Sequence, residues 1–272
     1  MNVLFIGGGN MGRALVGGLL AQGRDRDAIA VVDSDAGARA RLQGEFGVQV
    51  AAGIASEAAG RTGTIVLAVK PQHMRQAAQS LAPHLGGQLV MSIAAGIRLA
   101  DLTRWLGGHT RLVRAMPNTP ALIRRGIAGL FAHPSVDSEQ RRIAQEILNA
   151  VGETIWCERE EQLDAITAMS GSGPAYVFYF LEAIIEAGMD LGFSPDQARR
   201  LAYATAGGAI ALAAQSPEPP AVLRAQVTSK GGTTEAAVAV LDQCGVKAAF
   251  VAAIRAAEAR AAELGDILGA DA

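Results

Sequence analysis

The sequence predicts an α/β amino-terminal half built on a parallel sheet and an all-helical carboxy-terminal half. Three observations carry this prediction. Short apolar runs alternate with segments of helical periodicity as far as about residue 160. A glycine-rich turn joins the first apolar run to the first helical one. Beyond residue 160 no apolar run reads as a strand. The expected division is therefore residues 1–160 and 161–272.

In chain order, Val3 to Ile6 reads as a strand ending in glycines, and Met11 to Gln22 as the helix that follows. Ile29 to Asp33, Ile65 to Val69, Gln88 to Ile93 and Arg111 to Ala115 read as further strands, a pattern that predicts helices on both faces of the sheet. Asp164 to Leu191 is one long helical stretch interrupted at Gly171-Ser172-Gly173-Pro174, where the proline lacks an amide proton and kinks or restarts the helix. Ser194-Pro195-Asp196 is a helix start, with a serine cap and proline at the first position, and its helix runs to about Ala214. Pro217-Glu218-Pro219-Pro220 punctuates, a short helix covers Ala221 to Val227, and the last helices begin near Thr233 and Lys247.

Composition excludes several classes of function. Apolar residues make up 50% and charged residues 18%, enough for a large core and too apolar for disorder. Lys plus Arg is 24 against 26 Asp plus Glu, and this balance argues against a nucleic-acid partner. Aromatics at 4% leave no stacking platform for bases. Cys157 and Cys244 are too few for a disulfide framework or zinc cluster and read as reduced, packed thiols. His73, His84, His109 and His133 show no metal spacing, so no metal is expected. Ala175 to Phe193 is apolar but carries Glu182, Glu186 and Asp190, which excludes it as a membrane span, and the opening residues lack a signal-peptide pattern. The expected location is cytoplasmic. Glu158, Glu160 and Glu161 read as a solvated boundary.

The chemistry begins at Gly7-Gly8-Gly9-Asn10-Met11-Gly12, which fits G-x-G-x-x-G at Gly7, Gly9 and Gly12 and lies between a strand ending at Ile6 and a helix. Glycines there allow a tight turn and close backbone approach to a pyrophosphate, and the helix end offers amide protons and partial positive charge. This is the signature of a Rossmann-type dinucleotide-binding domain. Asp33, about 20 residues beyond Gly12, is placed to bond the adenosine ribose and repel a 2′-phosphate, which favours NAD. Ser34 beside it is able to accept a 2′-phosphate, while Arg39 and Arg41 read as an ordinary solvated helix face; on these residues NAD and NADP both stay open. Ala68-Val69-Lys70-Pro71 ends another strand and should border the cofactor, since ligands of open α/β sheets lie beyond the carboxyl ends of strands.

The second candidate is Thr228-Ser229-Lys230-Gly231-Gly232-Thr233-Thr234, just before a helix. Two glycines and an exposed helix end form a nest for a small carboxylate, and the threonine hydroxyls can bond a heteroatom. Simple N-capping would need only one threonine.

Taken together these motifs resemble pyrroline-5-carboxylate reductase. The resemblance spans nearly the whole chain and adds Ser92-Ile93-Ala94-Ala95-Gly96, Arg114-Ala115-Met116-Pro117-Asn118-Thr119-Pro120 and Ser170-Gly171-Ser172-Gly173-Pro174-Ala175-Tyr176 to the motifs above. It implies hydride transfer from NADPH or NADH to the C=N carbon of 1-pyrroline-5-carboxylate, giving L-proline in the last step of proline biosynthesis. It implies that Ile6, Gly7, Gly8, Gly9, Asn10, Met11, Gly12, Asp33, Ser34, Ala68, Val69, Lys70, Pro71 and Ala95 hold the cofactor. Ser229, Gly232 and Thr233 would hold the substrate carboxylate, and the hydroxyl of Thr234 would contact the ring nitrogen. It further implies an interlocked homodimer made by the helical domain, with the site between one subunit's nucleotide domain and its partner's helices, and a decamer of five dimers. Two features depart from the family: Lys230 stands where many members carry proline, and Asp33-Ser34-Asp35 is more acidic than a strongly NADP-preferring member should be. Two rival readings are weaker. A 3-hydroxyacid dehydrogenase would place a lysine on the long helix, yet 164–191 contains none. A dinucleotide sensor would need no Gly-Gly-Thr-Thr nest.

Overall fold

The computed structural model describes residues 2–54 and 62–270. They fall into two compact units, one holding the described residues up to Ser172 together with those from Ala257 onward, the other Gly173–Ala256.

The first unit is built on one eight-stranded sheet in the order β3-β2-β1-β4-β5-β6-β7-β8. Its strands are β1 (Val3–Ile6), β2 (Ile29–Val32), β3 (Gln49–Ala51), β4 (Thr64–Leu67), β5 (Leu89–Ser92), β6 (Leu112–Met116), β7 (Gly126–Ala132) and β8 (Gly152–Trp156). Pairing is parallel throughout except between β6 and β7, which run antiparallel with Ala115 opposite Leu130. β1 is flanked by β2 and β4, so successive connections leave it in opposite directions and open a crevice at its carboxyl end.

β1 alternates its side chains between two cores. Val3 and Phe5 pack with Leu15, Leu19 and Leu42 on one face. Leu4 and Ile6 pack with Met74, Ala78 and Leu81 on the other. Burial on both faces is what a parallel strand with helical cover requires, and it explains the unbroken apolar runs. The covering helices are α1 (Asn10–Ala21), α2 (Ala36–Phe46), α3 (Pro71–Leu81), α4 (Leu99–Trp105) and α5 (Ser138–Asn149). α5 starts in a capping box between Asp137 and Gln140.

Three strands lack the signals that sequence reading uses. β3 is three residues long at a sheet edge, and β8, the other edge, is only partly buried. β7 carries Gly126 and Gly129, residues depleted in strands; a Cβ on Gly129 would stand 2.8 Å from Ile166. The long stretch from residue 164 is likewise divided: α6 (Gln162–Ile166) widens into a single π turn (Thr167–Gly171) before α7 (Gly173–Asp190) starts with Pro174 in its first turn.

The second unit contains α7, α8 (Pro195–Gln215), α9 (Pro220–Gln226), α10 (Thr233–Gln243) and the first part of α11 (Val246–Gly269). Ser194 and Gln197 form a capping box at α8, and Phe250 of α11 packs against Tyr176 and Phe180 of α7. Among the described residues of this unit, only Ala198 and Ala202 are buried. Cys244 is exposed and Cys157 half-buried, so the expected packing of both thiols does not hold for Cys244 in the single chain. Among the described residues no single helix is long and apolar enough to cross a membrane; α10 and α11 reach that composition only as a pair bent by 50°.

Candidate active site

The turn after β1 is fixed by its own backbone. Gly7 adopts φ +105°, donates its amide to Val32 O at 2.8 Å, and lies so near β4 that a Cβ would stand 2.6 Å from Ala68 O. A Cβ on Gly12 would collide with the carbonyl oxygen of Gly7, and one on Gly8 with Leu42. Backbone contacts demand glycine at 7 and 12, while at 8 the Leu42 side chain would have to move. Gly9 is under no such demand: its φ of −66° suits any residue, and a Cβ there would meet no atom within 4 Å. Gly9 is also the N-cap of α1, whose amino end carries no side-chain cap. The amides of Asn10, Met11 and Gly12 therefore have no intrahelical partner, and beside them Gly9 leaves clear space. That is the geometry a dinucleotide pyrophosphate needs, so the residues present fit the cofactor.

Asp33 closes β2 and binds back to the turn. Its Oδ2 accepts from the Gly8 amide at 2.6 Å and its Oδ1 from the Asp35 amide at 2.8 Å. Arg39, expected on a solvated face, instead folds back and donates to the carbonyl oxygens of Asp33 and Ser34 at 2.7 and 2.9 Å. Ser34 is exposed. Ala68 and Val69 follow β4 half-buried; Lys70 is exposed and extended, and Pro71 opens α3. Ala95, half-buried, follows the carboxyl end of β5. The first unit thus brings the turn, Asp33, Ala68–Pro71 and Ala95 to the carboxyl ends of neighbouring strands.

Two contact clusters of the first unit join residues that the sequence marks only as parts of separate motifs or as surface charge. Buried Arg114 donates through Nη1 to Glu160 Oε1 at 2.6 Å, and the same oxygen accepts from the Leu99 amide at 2.7 Å. Glu160 is therefore an internal partner, not a solvated boundary. Beside it burial pushes the Asp164 carboxyl above its ordinary range, against the opposing pull of Arg114 and Arg98. Asn118 is the second: its Nδ2 donates to Ser170 Oγ at 3.1 Å and its Oδ1 accepts from the Ile127 amide at 3.0 Å, tying the loop after β6 to β7 and the π turn. The partners lie 46 and 52 residues apart, so no local pattern marks them.

In the second unit, Thr228–Thr234 forms the loop into α10. The Thr228 hydroxyl donates to Arg224 O at 2.6 Å. Gly231 takes φ +73° and its amide donates to Glu235 Oε2 at 2.6 Å. The Gly232 amide donates to Ser229 O at 3.0 Å, and a Cβ on Gly232 would stand 2.5 Å from Ser229 Oγ. No side chain caps α10, so neither threonine serves as a helix cap. Thr233 and Lys230 are exposed, and Thr234 is half-buried.

The pyrroline-5-carboxylate reductase dimerisation family matches residues 160–264, and the NADP oxidoreductase coenzyme F420-dependent family matches residues 2–96. A pyrroline-5-carboxylate reductase of Pseudomonas aeruginosa is 47% identical over 268 residues, covering 98% of each chain. This chain belongs to the pyrroline-5-carboxylate reductase family. Solved members of the family agree in fold. The Coxiella burnetii reductase superposes with a TM-score of 0.91 at 40% identity, covering 97% of this chain and 98% of its own. The Plasmodium falciparum reductase, solved with NADP bound, gives 0.86 at 27% identity with the same coverage.

Proposed function

We propose that the chain reduces the C=N bond of 1-pyrroline-5-carboxylate to L-proline with NADH or NADPH, the last step of proline biosynthesis. The observation that carries this reading is a pair of helix ends, those of α1 and α10, each reached through glycines and capped by no side chain. One follows a strand of a dinucleotide-binding sheet; the other follows a glycine pair of the kind that nests a carboxylate.

The bound nicotinamide supplies the hydride. Amides at Gly9, Asn10, Met11 and Gly12 hold the pyrophosphate, with Ile6, Gly7 and Gly8 shaping the turn. Asp33 and Ser34 face the adenosine ribose. Ala68, Val69, Lys70, Pro71 and Ala95 flank the nicotinamide half. Ser229, Gly232 and Thr233 hold the substrate carboxylate, and the Thr234 hydroxyl bonds the ring nitrogen. That nitrogen arrives protonated as an iminium, so the chain needs no strong acid, and holding the two reactants in register supplies most of the effect. In this division residues 1–160 bind dinucleotide and residues 161–272 bind substrate and dimerise. The exposed apolar helices of the second unit support a homodimer. A decamer of five dimers and a cytoplasmic location follow the family resemblance, and the formal charge of −2 fits the absence of a nucleic-acid partner.

Adding the pyrroline substrate to the protein with reduced nicotinamide should consume both and yield proline in equal amount. Thr234→Ala should fold normally and lower kcat about tenfold, the loss of one hydrogen bond worth about 1.5 kcal/mol. Absence of proline would refute the reaction; wild-type kcat in the variant would remove Thr234 from it.

A further inference from the structure

We infer that the carboxy-terminal turns of α11 position the nicotinamide half of the dinucleotide, by holding the loop between β5 and α4 that carries Ala95. The inference deepens the reductase reading and rests on it, since it takes Ala95 to border that half of the cofactor. Gly265 and Leu268 act through the loop and are positioning residues.

The loop is tied at both ends within the first unit. The Ile93 amide donates to Leu67 O at 3.1 Å, and the Leu99 amide to Glu160 Oε1 at 2.7 Å. Between these ties the loop lies against the last turns of α11. Gly96 is buried with φ +75°, and a Cβ there would stand 3.2 Å from Leu268 Cδ1 and 3.6 Å from the Gly265 nitrogen. Seen from the helix, a Cβ on Gly265 would stand 3.1 Å from Arg98 Nε and 3.4 Å from Gly96 O. Loop backbone and helix backbone thus meet through a glycine on each side. Leu268 carries the contact into the core that holds Ile97, Leu99 and Leu102. Polar bonds fix the register. Arg98 Nη2 donates to Asp266 Oδ1 at 2.9 Å and to Ala262 O at 3.4 Å. Arg104 Nη2 donates to Gly269 O at 2.6 Å and to Asp101 Oδ1 at 3.1 Å, and a Cβ on Gly269 would collide with the Asp101 carboxylate. A contact packed this closely passes displacement on instead of absorbing it. Ala95 is the residue before Gly96, so a shift of these turns moves the wall against which the nicotinamide lies.

Titration of the full-length protein with NADH and with ADP-ribose tests this, because ADP-ribose lacks only the nicotinamide. Leucine forms helix better than glycine, so Gly265→Leu leaves α11 itself intact while its side chain displaces the loop. It should weaken NADH about fivefold or more, leave ADP-ribose within about twofold, and lower kcat about tenfold. Leu268→Ala removes support instead of adding bulk; it should give the same split at a smaller size, and it decides the matter if Gly265→Leu does not fold. A merely structural role would lower thermal stability and weaken both ligands alike or neither. A ratio of NADH to ADP-ribose affinity unchanged in Leu268→Ala would overturn the inference, as would a folded Gly265→Leu protein with the wild-type ratio. Wild-type protein that binds neither ligand would refute the dinucleotide reading and this inference with it. A shifted ratio in a protein that makes no proline would sustain the inference and refute the reaction alone.

Discussion

The two units solve the burial problem in opposite ways. In the first, Leu4, Phe5, Leu15, Leu19, Ile65, Leu67 and Met74 are at most 1% exposed, and the sheet completes its own core. In the second, Phe178, Tyr179, Tyr203 and Leu212 are 59%, 71%, 55% and 62% exposed on helices that are otherwise well formed. An apolar surface of that extent marks a face meant for another protein surface. The contrast teaches that the glycine-turn unit is specified within one chain, whereas the helical unit is specified for an assembly, in keeping with the dimerisation family matched over 160–264.

Substitutions on the two sides should therefore break different things. Phe5→Ala should cost about 3–5 kcal/mol in urea unfolding, because it empties a space the sheet and α1 cannot refill. Phe178→Asp combined with Leu212→Asp should leave the sheet intact but weaken self-association by more than about a thousandfold, since a homodimer carries each substitution twice. Each removed apolar side chain is worth about 2 kcal/mol when buried. Sedimentation across protein concentrations checks this; an unchanged oligomer would show that α7 and α8 do not form the assembly face.

A smaller effect sharpens the comparison within the first unit. Glu160→Gln should destabilise by about 1.5–3 kcal/mol in denaturant unfolding, the range for hydrogen bonds to charged groups, since it leaves Arg114 buried without its counter-charge. A neutral outcome would return Glu160 to the role of a surface residue.

What the sequence disclosed follows the same boundary between local and distant. The strand, turn and helix from Val3 to Ala21 were legible because their signals are contiguous, and so was the start of α8, where Ser194 caps and Pro195 leads. Asp33 was legible as a position but not as a partner of the Gly8 amide 25 residues away. Glu160 was misread because its guanidinium partner lies on β6. β7 was missed because Gly126, close against Ala121, and Gly129, close against Ile166, erase the usual strand composition. Helical periodicity located α7 and α8 but did not disclose how much of their apolar surface a single chain leaves uncovered.

The central claim is that Gly9 is glycine for a ligand and not for the fold. Gly9→Ala tests it directly, since the added methyl meets no protein atom and the backbone conformation is unstrained. Thermal unfolding of the free protein should be unchanged or slightly raised, while the dissociation constant for ADP-ribose rises at least tenfold. Unaltered affinity with unaltered stability would contradict the account, for the space beside Gly9 would then hold no pyrophosphate.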